Sequence, residues 1–108
     1  MGDEPDEFVV RVLDPSSPIP VIAVSGEVDL LTAPDFAKSV KEVIARAPRD
    51  LVIDLAETSF LDCSGVSVIL SARRDLPDAS RIVIRQPRPF VRKLLAITQV
   101  DTVCRVED

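Results

Sequence analysis

The 108-residue chain has no histidine, tryptophan or tyrosine, and only three glycines and two cysteines. Without histidine there can be no Ser-His-Asp triad, no Cys-His nucleophile pair, no His-containing zinc site and no phosphohistidine chemistry. The glycines stand alone at positions 2, 26 and 65. That excludes a P-loop and a dinucleotide fingerprint, which need clustered glycines to bring backbone N–H groups up to a phosphate. Cys63 and Cys104 lie 41 residues apart with no C-x-x-C spacing, so neither a metal knuckle nor a thioredoxin-type site is available. No metal and no cofactor is expected. The cysteines are expected to be reduced thiols, unless the fold brings them within disulfide reach. Long apolar runs are also missing. The longest are far short of the roughly 20 residues a membrane helix needs, and the N-terminus is acidic where a signal peptide would be basic. A soluble, cytoplasmic protein without a membrane partner is expected.

What is present is enough for one core: 46% of the residues are hydrophobic, and the length is that of one ordinary domain. The formal net charge of -5 belongs mostly to the ends, with four carboxylates in Met1 to Glu7 and two more at Glu107 and Asp108. Residues 1–7 read as an acidic flexible segment and residues 8–106 as the domain. Seven basic residues fall between Arg73 and Lys93, but Asp75 and Asp78 sit among them and the only aromatics are four phenylalanines. A solvated helix face is expected there, and nucleic acid is not expected as a partner.

Phe8 to Leu13 and Val21 to Val28 are rich in valine and isoleucine, and Asp14-Pro-Ser-Ser-Pro18 between them is turn chemistry, so a β-hairpin is predicted. Thr32-Ala-Pro-Asp35 has the spacing of a helix start, with threonine as cap and aspartate at the third helical position. Phe36, Val40, Val43, Ile44 and Ala47 then recur at helical spacing until Pro48. Leu51-Val-Ile-Asp-Leu55 is a nearly unbroken apolar run, the pattern of a strand covered on both faces. Val66, Ile69, Leu70 and Arg73 predict a second helix, and Arg81 to Arg85 a strand. Phe90, Val91, Leu94 and Leu95 predict a third helix after Pro87 and Pro89, and Val103 to Val106 a last strand.

The order β-β-α-β-α-β-α-β calls for an α/β fold with a mixed, mostly parallel sheet. Its strand-to-helix loops should meet at one edge: Gly26 to Thr32, Ala56 to Ser64 and Gln86 to Pro89.

At the middle of that edge lies Ser59-Phe-Leu-Asp-Cys-Ser-Gly65. Two roles are open to Ser64. Its hydroxyl can cap the second helix, or it can be exposed there as a phosphate acceptor, where the helix dipole favours a dianion. Asp62 can satisfy nearby N–H groups, or it can repel a phosphoserine two residues away and so help make an electrostatic switch. Gly65 lets the backbone pass close to its neighbours.

Gly26-Glu-Val-Asp29, Leu51-Val-Ile-Asp-Leu55 and above all Asp62-Cys-Ser-Gly65 followed by Val-Ile-Leu resemble the STAS domain, specifically the stand-alone bacterial anti-sigma-factor antagonists. The resemblance runs over nearly the whole chain, roughly Phe8 to Val106. It implies a non-enzymatic regulator. In its unphosphorylated form it would bind an anti-sigma factor, freeing the sigma factor, and phosphorylation of Ser64 would release it. The anti-sigma factor would itself be the serine kinase, and a PP2C-type phosphatase would restore binding. Ser64 would be the switch, with Asp62 presenting it. Glu27, Asp29, Ser59, Asp62, Cys63, Ser64 and Gly65 would form the partner-binding surface, Glu27 and Asp29 occupying the family's acidic position.

The departure is Cys63, where the family often has serine or threonine. A thiol at a helix N-terminus has a lowered pKa, which leaves redox control through Cys63 and Cys104 as one reading and a small filler as the other. Rival functions are an enzyme or nucleotide binder at the same edge, a receiver-type phosphoacceptor at Asp54 or Asp62, and a STAS scaffold or sensory subunit without sigma release. The glycine positions and the initial hairpin count against the first two.

Overall fold

The computed structural model describes residues 7–108. Of the segment expected to be flexible, residues 1–6 lie outside the described residues. Val9–Leu13 (β1) and Val21–Val28 (β2) pair antiparallel, with Val10 opposite Val24 and Val12 opposite Ile22. Leu51–Leu61 (β3), Ile82–Arg85 (β4) and Arg105–Glu107 (β5) follow in parallel, giving one sheet in the order β1-β2-β3-β4-β5. Ala33–Ile44 (α1), Cys63–Asp75 (α2) and Pro89–Ile97 (α3) make the crossovers. Each crossover leads to the next strand in the same direction, so right-handed connections put all three helices on one face.

That face holds the core. Ile22, Val24 and Val28 of β2, Ile53, Leu55 and Leu61 of β3, and Ile82 and Ile84 of β4 meet Phe36, Ile69 and Leu95 from the helices in one buried cluster. Burying a side chain of this size contributes about 1.5–3 kcal/mol. On the opposite face Val52 is buried between its register neighbours Val21 and Val83. Beyond them Asp54 pairs with Arg85 across β3 and β4 at 3.9 Å. Among the described residues no helix is long and apolar enough to cross a membrane.

Several boundaries differ from expectation for physical reasons. α1 ends at Ile44, because Ala47 adopts a left-handed φ of 54° ahead of Pro48, where a residue preceding proline is disfavoured in the helical region. β5 begins at Arg105, since Val100–Thr102 winds into a 3-10 turn that Val103 terminates. The largest difference is β3, which runs to Leu61, so that most of the expected Ala56 to Ser64 loop is strand. From Val21↔Val52 to Val28↔Leu61, β3 uses two more residues than β2, with register shifts at Ala23/Ser25 and Gly26/Glu27. Such bulges interrupt the period-two pattern by which a strand is read.

The basic run does not gather into one face. Arg73 holds the α2–β4 connection by donating to the carbonyls of Pro77 at 2.7 Å and Ser80 at 2.9 Å. Arg92 pairs with Asp108 at 2.8 Å.

Gly26, at the second register shift, has φ +87°, and a Cβ there would lie 2.8 Å from the Glu7 carbonyl oxygen and 2.9 Å from Phe8 Cα. Both partners are backbone and cannot swing aside. Gly26→Ala is expected to destabilise the domain by about 2 kcal/mol, lowering the melting temperature by roughly 10 °C. A thermal melt within 2–3 °C of the wild type would contradict this account of the bulge.

Candidate functional site

Asp62 leaves the end of β3 in an extended conformation, φ -115° and ψ -170°, and becomes the N-cap of α2. Its Oδ1 accepts the N–H of Ser64 at 2.8 Å, and its carbonyl accepts those of Gly65 and Val66, each at 3.1 Å. Ser64, offered by the sequence as a cap, therefore sits at the second position of the helix. Aspartate and serine are both good N-caps; the chain path places the carboxylate, not the hydroxyl, over the free N–H. This leaves the Ser64 hydroxyl out of the capping arrangement, on a half-exposed residue between exposed Cys63 and buried Gly65.

The motif is pinned to β2. Asp62 N–H donates to the Val28 carbonyl at 3.2 Å, and a Cβ on Gly65 would meet the side chains of Leu61 and, at 2.9 Å, Val28. Only glycine lets α2 start this close to the sheet. Just beyond Val28, Asp29 and Thr32 lock a turn together. Asp29 Oδ1 accepts the N–H groups of Leu31 at 3.0 Å and Thr32 at 3.1 Å. Asp29 N–H donates to Thr32 Oγ1 at 2.9 Å, and that hydroxyl donates to the Glu27 carbonyl at 2.8 Å. Thr32 thus has no side-chain hydrogen bond to its helix, contrary to the expected capping box.

Of the predicted residues, the structure brings Asp29, Asp62, Cys63, Ser64 and Gly65 to one edge through Val28. Glu27 lies on the same edge, exposed, in register with Phe60. Ser59 is different: its Oγ is sheltered from solvent and has no hydrogen-bond partner. The third loop also arrives, as Arg88 Nε donates to the Ala56 carbonyl at 3.1 Å and its guanidinium lies 4.0 Å from Glu57.

Sequence reasoning missed the apolar part of this edge. Leu30 and Leu31 are 76% and 86% exposed, and Phe90, grouped with Val91, Leu94 and Leu95 in the expected third helix, is 58% exposed and stacks on Phe60 at 5.9 Å. For Leu30 and Leu31, their position in the strand-to-helix connection between β2 and α1 was the available signal. The strands follow one another without a reversal of order, so the edge lacks the crevice in which open α/β sheets bind small ligands. Among the described residues no group of three or more acidic or cysteine side chains could hold a metal ion.

The two cysteines are both free, Cys63 exposed at the start of α2 and Cys104 buried. Cys104 is buried, and that burial pushes its thiol from 9.0 up to about 11, outweighing the opposite pull of Arg73. It stays protonated at neutral pH and is a poor nucleophile.

Two expectations follow from this geometry. Asp62→Ala should lose about 1 kcal/mol in urea unfolding while Ser64→Ala stays within about 0.5 kcal/mol of wild type. The reverse order would return the cap to Ser64. For Cys104, the raised pKa adds nothing below pH 9, where the thiol is neutral in folded and unfolded chains alike. Between pH 9 and 11 only the unfolded chain ionises, so stability should fall by on the order of 1–2 kcal/mol, allowing for partial solvent screening. In urea titrations across that range, Cys104→Ala should show a shallower decline, whatever its stability at pH 7.

Residues 11–108 match the family described as the STAS domain. An anti-sigma-F factor antagonist, RsfB of Mycobacterium tuberculosis, is 26% identical over 102 residues, covering 94% of this chain and 83% of that protein. The crystal structure of an anti-sigma factor antagonist from Mycobacterium paratuberculosis superposes with a TM-score of 0.81 at 26% identity, covering 99% of this chain and 88% of that one. The anti-sigma factor antagonist SpoIIAA shares the fold in its unphosphorylated form, with TM-score 0.75, 24% identity and coverage of 93% and 87%. The phosphorylated form from Bacillus shares it with TM-score 0.68, 22% identity and coverage of 93% and 90%. The five-stranded mixed sheet, its three crossover helices and a family match spanning almost all the described residues lead to one conclusion: the chain belongs to the STAS domain family.

Proposed function

We propose that this chain is an anti-sigma-factor antagonist switched by phosphorylation of Ser64. In the unphosphorylated form the edge bearing Glu27, Asp29, Asp62, Cys63, Ser64 and Gly65 binds an anti-sigma factor and so frees a sigma factor. The anti-sigma factor is also the serine kinase, and a PP2C-type phosphatase resets the switch.

The observation that carries this reading is the division of labour between Asp62 and Ser64. Asp62 already occupies the Ser64 N–H at 2.8 Å, so a phosphate on Ser64 cannot use that donor. It meets a carboxylate two residues away instead and stands out from the surface as a block of negative charge. A partner seated over the hydroxyl loses its fit by repulsion and bulk, while the fold beneath keeps its cap. The crevice-free edge supports a macromolecular partner over a small ligand. The names of the relatives support an anti-sigma factor as that partner, and SpoIIAA, with the same fold, exists in both phosphorylation states. Neither cysteine is needed for the switch, which leaves Cys63 as a small residue at the first helical position.

The test is to incubate the protein with its anti-sigma-factor kinase and ATP, following intact mass and binding. Wild type should take up a single phosphate, and Ser64→Ala none. Ser64→Glu should bind the anti-sigma factor at least tenfold more weakly, a loss of about 1.4 kcal/mol or more. Unchanged phosphate uptake by Ser64→Ala would remove Ser64 from the mechanism. A protein that binds and is phosphorylated without changing sigma-factor release would be a scaffold of the same family.

A further inference from the structure

We propose that Leu30 and Leu31 are the apolar anchor of this interface, a pair of side chains that seat in a hydrophobic recess on the anti-sigma factor and act separately from the Ser64 switch. The inference rests on the partner reading above and adds to it the source of affinity.

Isolated exposed leucines are ordinary on protein surfaces. These two are adjacent, 76% and 86% exposed, and more exposed than any other large hydrophobic side chain among the described residues. Their backbone is held unusually well for a connection. Leu31 N–H is bound by Asp29 Oδ1 at 3.0 Å, Thr32 N–H by the same oxygen at 3.1 Å, and Ala33 N–H by the Asp29 carbonyl at 2.8 Å. Thr32 Oγ1 closes the turn on the Glu27 carbonyl at 2.8 Å. Such a turn presents apolar side chains in a fixed arrangement, which reduces the ordering entropy lost on binding. Asp29 thereby gains a definite role: its carboxylate is engaged within the turn, and it positions the anchor.

The anchor is continuous with the motif. Leu30 is two residues beyond Val28, whose carbonyl accepts Asp62 N–H at 3.2 Å and whose side chain packs on Gly65. The edge thus carries an apolar anchor at the end of β2, the hydroxyl at the start of α2, and exposed Glu27 on the rim. A buried apolar centre with polar groups around it is the usual anatomy of a protein interface. The fitting occupant is a folded protein surface with an apolar recess beside a group that meets the Ser64 hydroxyl. Since the anchor is not altered by phosphorylation, the phosphorylated chain should retain weak affinity for the same partner. The kinase, too, should find its substrate through these leucines.

The experiment uses the full chain and the anti-sigma-factor kinase that acts on Ser64. Leu30→Ser/Leu31→Ser should bind at least tenfold more weakly in calorimetry. Its phosphorylation should show a KM raised in proportion with kcat little changed. Leu30→Met/Leu31→Met should bind within about threefold of wild type, and Leu13→Ser, an exposed leucine on β1, should leave affinity unchanged. Thermal melts of the Leu30 and Leu31 variants should coincide with wild type, since the anchor side chains contribute nothing to the core. Equal binding by wild type and the double serine variant overturns the anchor while leaving the partner reading intact. A wild-type protein that does not bind the kinase at all defeats the partner reading, and the anchor, which commits to that partner, falls with it. Equal losses in the serine and methionine pairs also overturn it, because an apolar recess tolerates methionine.

Discussion

The first turn of α2 presses onto the ends of two strands, and Gly65 is the residue that permits the approach. With no Cβ it packs against Leu61 of β3 and Val28 of β2, and the closeness lets the Asp62 N–H reach the Val28 carbonyl. A side chain at Gly65 would have to displace the Leu61 and Val28 side chains on which the helix start rests. The buried cluster of Val28, Leu61 and Val66 beneath supplies the apolar support that makes the approach favourable. Ser64, the Asp29 turn and the two exposed leucines are all positioned from this one contact.

The helix cap and the Ser64 hydroxyl are separated at the level of single atoms. A carboxylate oxygen of Asp62 completes the helix N-terminus, so the neighbouring hydroxyl is spared a structural duty and can be changed chemically at little cost to the fold. Helix N-termini usually welcome phosphate because their N–H groups are unoccupied. Here one of those donors is already engaged by an anion within the chain. On the reading proposed above, a phosphate at Ser64 would sit there as a surface charge for a second protein to read. The orderly succession of strands points the same way, since it leaves no switch-point crevice at this edge.

Much of the fold was legible in the sequence. Alternating valines and isoleucines gave the hairpin, helical spacing of Phe36, Val40 and Val43 gave α1, and the unbroken Leu51 to Leu55 run gave the centre of the sheet. The second half of β3 was hidden because Ala56, Glu57, Thr58 and Ser59 have loop-like composition and the bulges break their alternation. The capping oxygen was hidden because Asp62 and Ser64 are equally suited to the role, and only the backbone path decides between them. The motif residues were singled out by their chemistry and by resemblance to a family. The apolar rim was not, because leucine and phenylalanine read as core residues wherever they fall; the exposure of Leu30, Leu31 and Phe90 is a property of the tertiary structure alone.

The two extra residues in β3 bear on how such a domain can vary in length. From Leu51 to Leu61 the inward and outward sides of the chain are set by counting residues, with the bulges at fixed places in the count. Loss of one residue from β3 outside its bulges would exchange the faces downstream, turning Leu61 outward and Phe60 inward, and α2 would begin rotated away from β2. Changes of length should therefore be borne more easily in segments such as the Asp14–Ser17 turn and the Pro77–Ser80 connection than in the approach to Ser64. The ruler that places Ser64 is a strand, and its divisions are single residues.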